Sequence, residues 1–349
     1  MRPPTPSESP YHPISHRYRA RFGRKVYKIS VGTAETCPVR TGGGGTRVCI
    51  FCDEWGSAAH APLTGAPLPL QIAEISATLR RRYRAEAFLV YFQAYTTTFG
   101  QVARLRGWME EALAQPGVVG LVVGTRPDCL PAPVLDVLAE YAGRTYLAVE
   151  LGVQSLDDAQ LRFLSRGHDA ATALRGLEKV RALPGVDVDA HLMFGLPGED
   201  AAQLRQCAAT LADLGVDGVK LHNLHVLRGT PLETLYRQGR FHPLELEAYA
   251  ERVIPFLEHL PPRVAVHRLS AVASRWEELV APEWVREKMR PTQYIIDTMR
   301  ARGTWQGRLY DAGDAPAANL AGDALDTLPW LSAPETGTTQ HTTLVEGAS

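Results

Sequence analysis

Six short apolar runs alternate with helix-period segments along this chain, and that alternation limits what it can fold into. The runs are Val26–Ser30, Phe88–Phe92, Val118–Val123, Tyr146–Glu150, Val186–Phe194 and Gly218–Leu224, with Arg263–Leu269 as a seventh candidate. Between them, apolar residues recur at helical spacing over Leu70–Arg82, Val102–Ala114, Ala132–Ala142, Asp157–Ser165, Asp169–Leu183, Asp200–Leu214 and Leu244–Leu260. Asp169 and Asp200 stand where a helix would start and can accept from its unpaired N–H groups. Gly143 and Gly215 stand where a helix would stop. Repeated strand–helix alternation builds an α/β fold around a parallel sheet, because parallel strands need a long crossover that a helix supplies.

Such a sheet either opens with a switch in winding or curls into a barrel. The unusual residues favour the barrel. "VGTAETCPVR", "QAYTTTFG", "GTRPDC", "LGVQS", "GLPGED", "VLRGTP" and "SAVAS" each follow a strand, one after another around the fold. A (β/α) barrel builds its site from the loops at the carboxyl ends of all its strands, whereas an open sheet concentrates ligand loops at one switch point. The expectation is a partial (β/α)6 TIM-type barrel with a C-terminal extension, over residues 23–310. Proline and serine mark residues 1–22 as a flexible arm, and small polar residues mark 311–349 as a mostly disordered tail in which only Leu328–Leu331 would dock.

The chain has 349 residues, a net charge of −1 and 45% apolar residues, so no global attraction to nucleic acid or membrane is implied. No apolar run approaches the roughly 20 residues that span a bilayer. The opening "MRPPTPSESPYHPISHRYRAR" lacks an apolar signal core, so a cytoplasmic protein is expected.

Three of the five cysteines fall in "CPVRTGGGGTRVCIFC", at Cys37, Cys49 and Cys52. Clustered thiols in a reducing compartment bind metal or do redox chemistry more often than they form disulfides. Three thiolates are a soft donor set suited to zinc, copper(I) or iron–sulfur. Structural zinc wants a fourth protein ligand, which Cys129, Cys207, His60 or another histidine could supply. The cysteines alone leave zinc and iron–sulfur open. Gly42–Gly45 do not make a phosphate loop, since no Gly-Lys-Ser/Thr follows; they give Cys37 the freedom to approach the Cys49–Cys52 pair.

Other strings carry a resemblance. "YFQAYTTTF", "GTRPDCL", "VELGVQS", "HLMFGLPGE", "KLHNLHVLRGTPL" and "APEW", in that order, resemble the radical SAM superfamily, specifically the stand-alone YhcC-like bacterial relatives of the Elongator catalytic subunit. The resemblance covers roughly residues 24–308, and the eleven-residue gap between Cys37 and Cys49 matches the longer gap of this branch. It implies a 4Fe–4S cluster on Cys37, Cys49 and Cys52, with one iron left for S-adenosylmethionine (SAM). It further implies reductive cleavage of SAM to a 5′-deoxyadenosyl radical, with the protein orienting and shielding the cofactor.

The resemblance also implies cofactor contacts. Phe51 would sit beside the adenine, with core packing as its other reading. Gln93 stands in the stretch that holds the SAM amino group, although Phe92–Gln93–Ala94–Tyr95 lacks the usual glycines and carboxylate. Glu150 and Gln154 would reach the ribose or the methionine carboxylate. A carboxylate ending an apolar strand is costly without a partner, so Glu150 is also a candidate structural ion pair. Gly195, with Pro197 and Gly198, would shape the loop beside the adenine or simply make a turn. Arg126 and Asp128 pair with each other or meet substrate. Strand alternation puts Lys220 and His222 on one face and His225 on the other, unless the strand ends between the histidines. Cys129 and Cys207 are expected to be buried free thiols. No residue is singled out as catalytic.

Two basic stretches remain. "HRYRARFGRKVYK" interleaves Arg17, Arg19, Arg21, Arg24, Lys25 and Lys28 with aromatics, a pattern suited to phosphates and bases, with a solvated surface as its other reading. Arg80, Arg81, Arg82 and Arg84 crowd a helix end, where the dipole favours cations. The Elongator family modifies C5 of the tRNA wobble uridine, so tRNA is the expected substrate and a flavodoxin or ferredoxin the expected electron donor. The segment after residue 311 is too short for that family's acetyltransferase domain, so acetyl-CoA-dependent carboxymethylation by this chain alone is not expected. The alternatives are a small-molecule or peptide substrate, and a non-catalytic zinc protein.

Overall fold

A computed structural model describes residues 8–311 except 35, 42–48, 54–55, 57–62, 64, 94 and 274. Gly42–Gly45, His60, the first seven residues and the expected tail beyond 311 lie outside the described residues. Seven parallel strands form one sheet in the order β1-β2-β3-β4-β5-β6-β8. They are β1 (Val26–Val31), β2 (Ala87–Phe92), β3 (Val118–Thr125), β4 (Tyr146–Gln154), β5 (Val186–Phe194), β6 (Gly218–Asn223) and β8 (Ala265–Val266). Two further strands, β7 (Val226–Leu227) and β9 (Leu279–Ala281), pair antiparallel. The helices are α1 (Ile14–Phe22), α2 (Pro38–Thr41), α3 (Leu68–Tyr83), α4 (Val102–Leu113), α5 (Ala132–Ala142), α6 (Asp158–Phe163), α7 (Ala170–Arg181), α8 (Ala201–Asp213), α9 (Pro231–Arg237), α10 (Leu246–His259) and α11 (Arg290–Ala301).

Each sheet strand pairs with the next in sequence, so the winding never reverses. This is the order of a barrel rather than of a doubly wound sheet. β1 and β8 close no ladder with each other, and the barrel is partial. The described residues contain no helix long and apolar enough to cross a membrane.

Side chains alternate along each strand, and the two faces differ. On β4, Leu147, Val149, Leu151 and Val153 join the apolar layer beneath the helices. On the inner face, Glu150, Gly152 and Gln154 line a cavity. β5 repeats the scheme, with Val186, Val188, Ala190, Leu192 and Phe194 in the apolar layer. Asp187, Asp189 and His191 face inward. The main core therefore lies between sheet and helices, and the barrel interior is polar.

Helix starts follow the chain's chemistry. Asp169 accepts from the Thr172 N–H and Asp200 from the Gln203 N–H, both at 2.8 Å. Gly215 turns the chain after α8 with φ +67°. Gly143 ends α5 in ordinary right-handed geometry. Asp200→Ala is expected to cost about 1 kcal/mol, the usual value of a lost N-cap, read as a lower urea midpoint at unchanged slope.

Residues 14–22, placed in a flexible arm on composition, form helix α1. The helix lies across the amino-terminal ends of the strands. Arg17 bonds Asp187 on β5 and Asp217 just before β6. Tyr18 is buried, and it meets Tyr146, the first residue of β4, edge-on at 6.2 Å. The polar periodicity of this segment reflects ion pairs to the barrel rather than solvation along its whole length.

Candidate active site

The loops at the carboxyl ends of the strands enclose a cavity of about 310 Å³. Cys37, Cys49 and Cys52 all line it. Cys37 precedes α2, and the Cys49–Cys52 turn closes with a Cys52 N–H to Cys49 carbonyl bond of 3.0 Å. Two guanidinium groups approach the sulfurs. Arg166 donates to Cys49 Sγ at 3.5 Å and Arg40 to Cys52 Sγ at 3.4 Å. Gly152 leaves the space that Arg166 uses, since a Cβ there would lie 2.6 Å from its terminal nitrogen. Burial pushes the Cys52 thiol up, against the pull of Arg40.

Phe51, Gln93, Glu150 and Gln154 line the same cavity. Phe51 is half-buried and packs against the small apolar cluster of Ile50, Leu164 and Met193, so its core role is real. Gln154 ends β4 with φ +68°, and Tyr95 nearby has φ +55°. Left-handed backbone at non-glycine residues is uncommon and gathers at functional sites. Gly195 is not among the lining residues. It turns the chain at φ +90°, and its N–H donates to the buried Glu199 carboxylate at 3.1 Å. This is the turn reading of "GLPGED".

Glu150 is fully buried, and both of its oxygens are engaged by the chain itself. Oε1 takes the Lys28 ammonium. Oε2 takes Lys220 Nζ at 2.8 Å and His191 Nε2 at 2.5 Å. Burial alone would raise the Glu150 pKa, but Lys220, Lys28 and His191 outweigh it and hold it well below the carboxylate range. This is the ion-pair alternative. Burial lowers Lys220 to about 8 despite Glu150. Lys28 also meets His267 Nδ1 at 2.9 Å, and His267 Nε2 lies 3.2 Å from Asp189. Glu150, Asp189 and His267 cluster tightly enough to suit a metal ion, yet the Lys28 ammonium already bonds two of the three.

Lys28 therefore departs from both readings of the basic stretch, nucleic-acid contact and solvation. It sits inside the barrel, and Arg17 is spent on Asp187 and Asp217. Arg19, Arg24 and Lys25 are exposed, but at the strands' amino-terminal ends, opposite the cavity. Arg80 lies at that end too, donating to the Pro116 carbonyl and stacking over Phe88 at 4.8 Å.

His225 corrects a second reading. β6 ends at Asn223, between the two histidines, so alternation fails there. The rings of His222 and His225 stack, centroids 5.2 Å apart and 17° from parallel, and both line the cavity. Arg126 and Asp128 pair with each other through two bonds of 2.8 and 2.7 Å. Cys129 and Cys207 lie outside the cavity lining, and burial pushes each thiol up to about 12.

Asp189, His191, His267 and Arg268 were not singled out from the sequence. The signal for two of them was there: "VDVDAHLMF" places Asp187, Asp189 and His191 at every second position of an apolar run. His267 and Arg268 follow a strand of only two residues and carry no such pattern.

Burial, with Lys220 next, holds His191 down at about 3, and burial holds His225 at about 4. Both stay neutral in the fold while an unfolded histidine protonates near 6.5. Acidification thus loads protons onto the unfolded chain first, and stability falls as pH drops from about 6.5. The expected loss at pH 5 is on the order of 2 kcal/mol for each histidine, checked by urea unfolding at pH 7.5 and pH 5.

Comparison with known proteins decides the family. Residues 39–229 match the model described as the radical SAM superfamily. The chain belongs to the radical SAM superfamily. Its residues 216–301 match the radical SAM C-terminal domain. This radical SAM enzyme is 39% identical over 269 residues to protein YhcC of Escherichia coli K12, covering 77% of this chain and 85% of YhcC. It is 32% identical over 171 residues to the tRNA uridine(34) acetyltransferase of Dehalococcoides mccartyi, covering 47% of this chain and 36% of that protein. The fold resembles the archaeal Methanocaldococcus infernus Elp3 with an N-terminal deletion, at 18% identity and a TM-score of 0.63. That match covers 80% of this chain and 64% of the archaeal one.

Proposed function

We propose that this radical SAM enzyme holds a 4Fe–4S cluster on Cys37, Cys49 and Cys52, binds SAM beside it, and acts on tRNA at a uridine. The observation that carries the reading is three cysteine sulfurs lining one cavity, two of them facing guanidinium donors. Such donors suit sulfurs that carry negative charge. Cys129 and Cys207 lie outside the lining, so the donor set matches a cluster with one iron unligated by cysteine better than a four-cysteine zinc site.

When bound, the cluster supplies the electron that cleaves SAM reductively to a 5′-deoxyadenosyl radical. The chain's own residues do the rest. Phe51 offers a face for the adenine. Gln93 and Gln154 offer amide groups to the amino acid end or the ribose. Arg166 and Arg40 hold the thiolates in place. Glu150 sets the interior by fixing Lys28, Lys220 and His191, and is proposed to act on SAM only through them.

The tRNA reading rests on the partial match to the tRNA uridine(34) acetyltransferase. A flavodoxin or ferredoxin is the proposed reductant, in the cytoplasm. Anaerobic reconstitution should give a brown protein whose visible absorbance bleaches with dithionite and which forms 5′-deoxyadenosine from SAM. A colourless protein with tightly held zinc would reject the cluster. Nucleoside mass spectrometry of tRNA from a deletion strain should show a changed uridine derivative. An unchanged profile would reject tRNA and leave a small-molecule or peptide substrate.

A further inference from the structure

One guanidinium in the cavity differs from the others. Arg126 is held by Asp128, and Arg275 by Asp53 and Glu278. Arg166 bonds the Gly152 carbonyl and Cys49, and Arg40 bonds the Asp53 carbonyl and Cys52. Arg268 follows β8 and donates through Nε to the Leu221 carbonyl at 3.1 Å. Among the described residues its two terminal nitrogens have no hydrogen-bond partner, and no carboxylate lies within ion-pair distance. Those nitrogens are not sealed in protein, since Arg268 lines the cavity. The Nε bond fixes the plane of the group and leaves its outer edge for something else.

Glu150 favours Arg268 only at longer range and is already bonded by Lys28 and Lys220, and a cation withdrawn from bulk water without a close counter-ion is costly. The cost disappears when an anion arrives with a ligand. A guanidinium edge matches phosphate or carboxylate oxygens through two parallel bonds. Beside it, His222 and His225 each place Nδ1 on the same acceptor, the Asn223 carbonyl, at 2.8 and 3.2 Å. A carbonyl only accepts, so both rings carry their proton on Nδ1 and leave Nε2 as an acceptor. Arg268 thus offers donors and the histidines offer acceptors within one cavity.

We propose that Arg268 receives an anionic oxygen group of the substrate, a phosphate or a carboxylate, with His222 and His225 accepting from a hydroxyl next to it. The proposal rests on the cavity being the reaction site, and not on the substrate being RNA. It makes Arg268 a substrate-binding residue and the two histidines its partners in recognition.

The test uses the reconstituted holoenzyme saturated with SAM, titrated calorimetrically with inorganic phosphate and with acetate. Arg268→Gln should weaken the better-bound anion at least ~10-fold, the loss expected for charge-assisted hydrogen bonds. Arg268→Lys should fall between Arg268→Gln and wild type, and SAM affinity should stay within about threefold of wild type. A preference for phosphate or for acetate identifies the group. Equal anion affinity in Arg268→Gln overturns the proposal. So does a loss of SAM affinity with anion binding unchanged, which would make Arg268 the partner of the SAM carboxylate. A second measurement needs no variant. In the wild-type holoenzyme with SAM bound, the better anion should block phenylglyoxal labelling of Arg268, read by peptide mass spectrometry, and labelling unaffected by either anion overturns the site. Failure of the radical SAM reading would show separately, as no 5′-deoxyadenosine formed while the anion still bound.

Discussion

Replacing any one of Cys37, Cys49 and Cys52 by serine is expected to lower 5′-deoxyadenosine formation by more than about 100-fold, beyond what losing an outer-shell partner costs a metal site. A hydroxyl is a hard, weakly acidic donor, and iron–sulfur clusters select soft thiolates. The loss should appear first as iron: analysis after anaerobic reconstitution should find the triad variants depleted and colourless. Cys129→Ser and Cys207→Ser should retain iron and activity, since neither sulfur lines the cavity. A triad variant with a full iron complement and normal product would remove the basis of the proposed chemistry.

The second large effect is expected from Glu150→Gln. This carboxylate joins Lys28 on β1, Lys220 on β6 and His191 on β5, all from inside the barrel. Removing its charge leaves two ammonium groups without the carboxylate they share, with only Asp189 still favouring Lys28 at longer range. Breaking a buried pair from one side costs about 3–5 kcal/mol, to be read from urea unfolding at neutral pH. The sign with pH follows from the direction of the shift. The folded-state pKa lies below the unfolded value, so the contribution is present above the unfolded pKa and lost as pH falls through the folded one. The wild type should therefore lose this part of its stability only in acid, below the range in which His191 and His225 act. Glu150→Gln combined with Lys28→Met should recover part of the loss. No recovery would mean that the cost does not come from the ammonium left unpaired.

How far the chain could be read without coordinates differs from element to element. β5 and α5 were bounded to the residue, because each is a continuous pattern closed by turn chemistry. β8 was overestimated as Arg263–Leu269; only Ala265–Val266 pair with β6, and an apolar run does not reveal how many of its residues find a neighbour. The cysteines were legible because their chemistry is local. The interior network was not, because Lys28, Glu150, His191 and Lys220 come from four strands and His267 follows a fifth, and they meet only when the sheet curls. Lys28 was drawn to its sequence neighbours Arg24 and Lys25, and alternation along β1 turned it the other way. His225 failed for the opposite reason: the two-residue period holds only while the strand lasts, and β6 stops at Asn223.

Helix α1 has a consequence for traffic. Tyr18, Phe22 and Tyr146 pack together beneath the strands and Arg17 is tied to Asp187 and Asp217, so helix α1 covers this part of the barrel's amino-terminal end. Among the described residues, the doorway to the cavity lies at the other end, where the loops after the strands' carboxyl ends line it. A macromolecule seated over that doorway would lock smaller molecules beneath it, so entry and exit would follow a compulsory sequence: the small cosubstrate first in, and its spent remains last out.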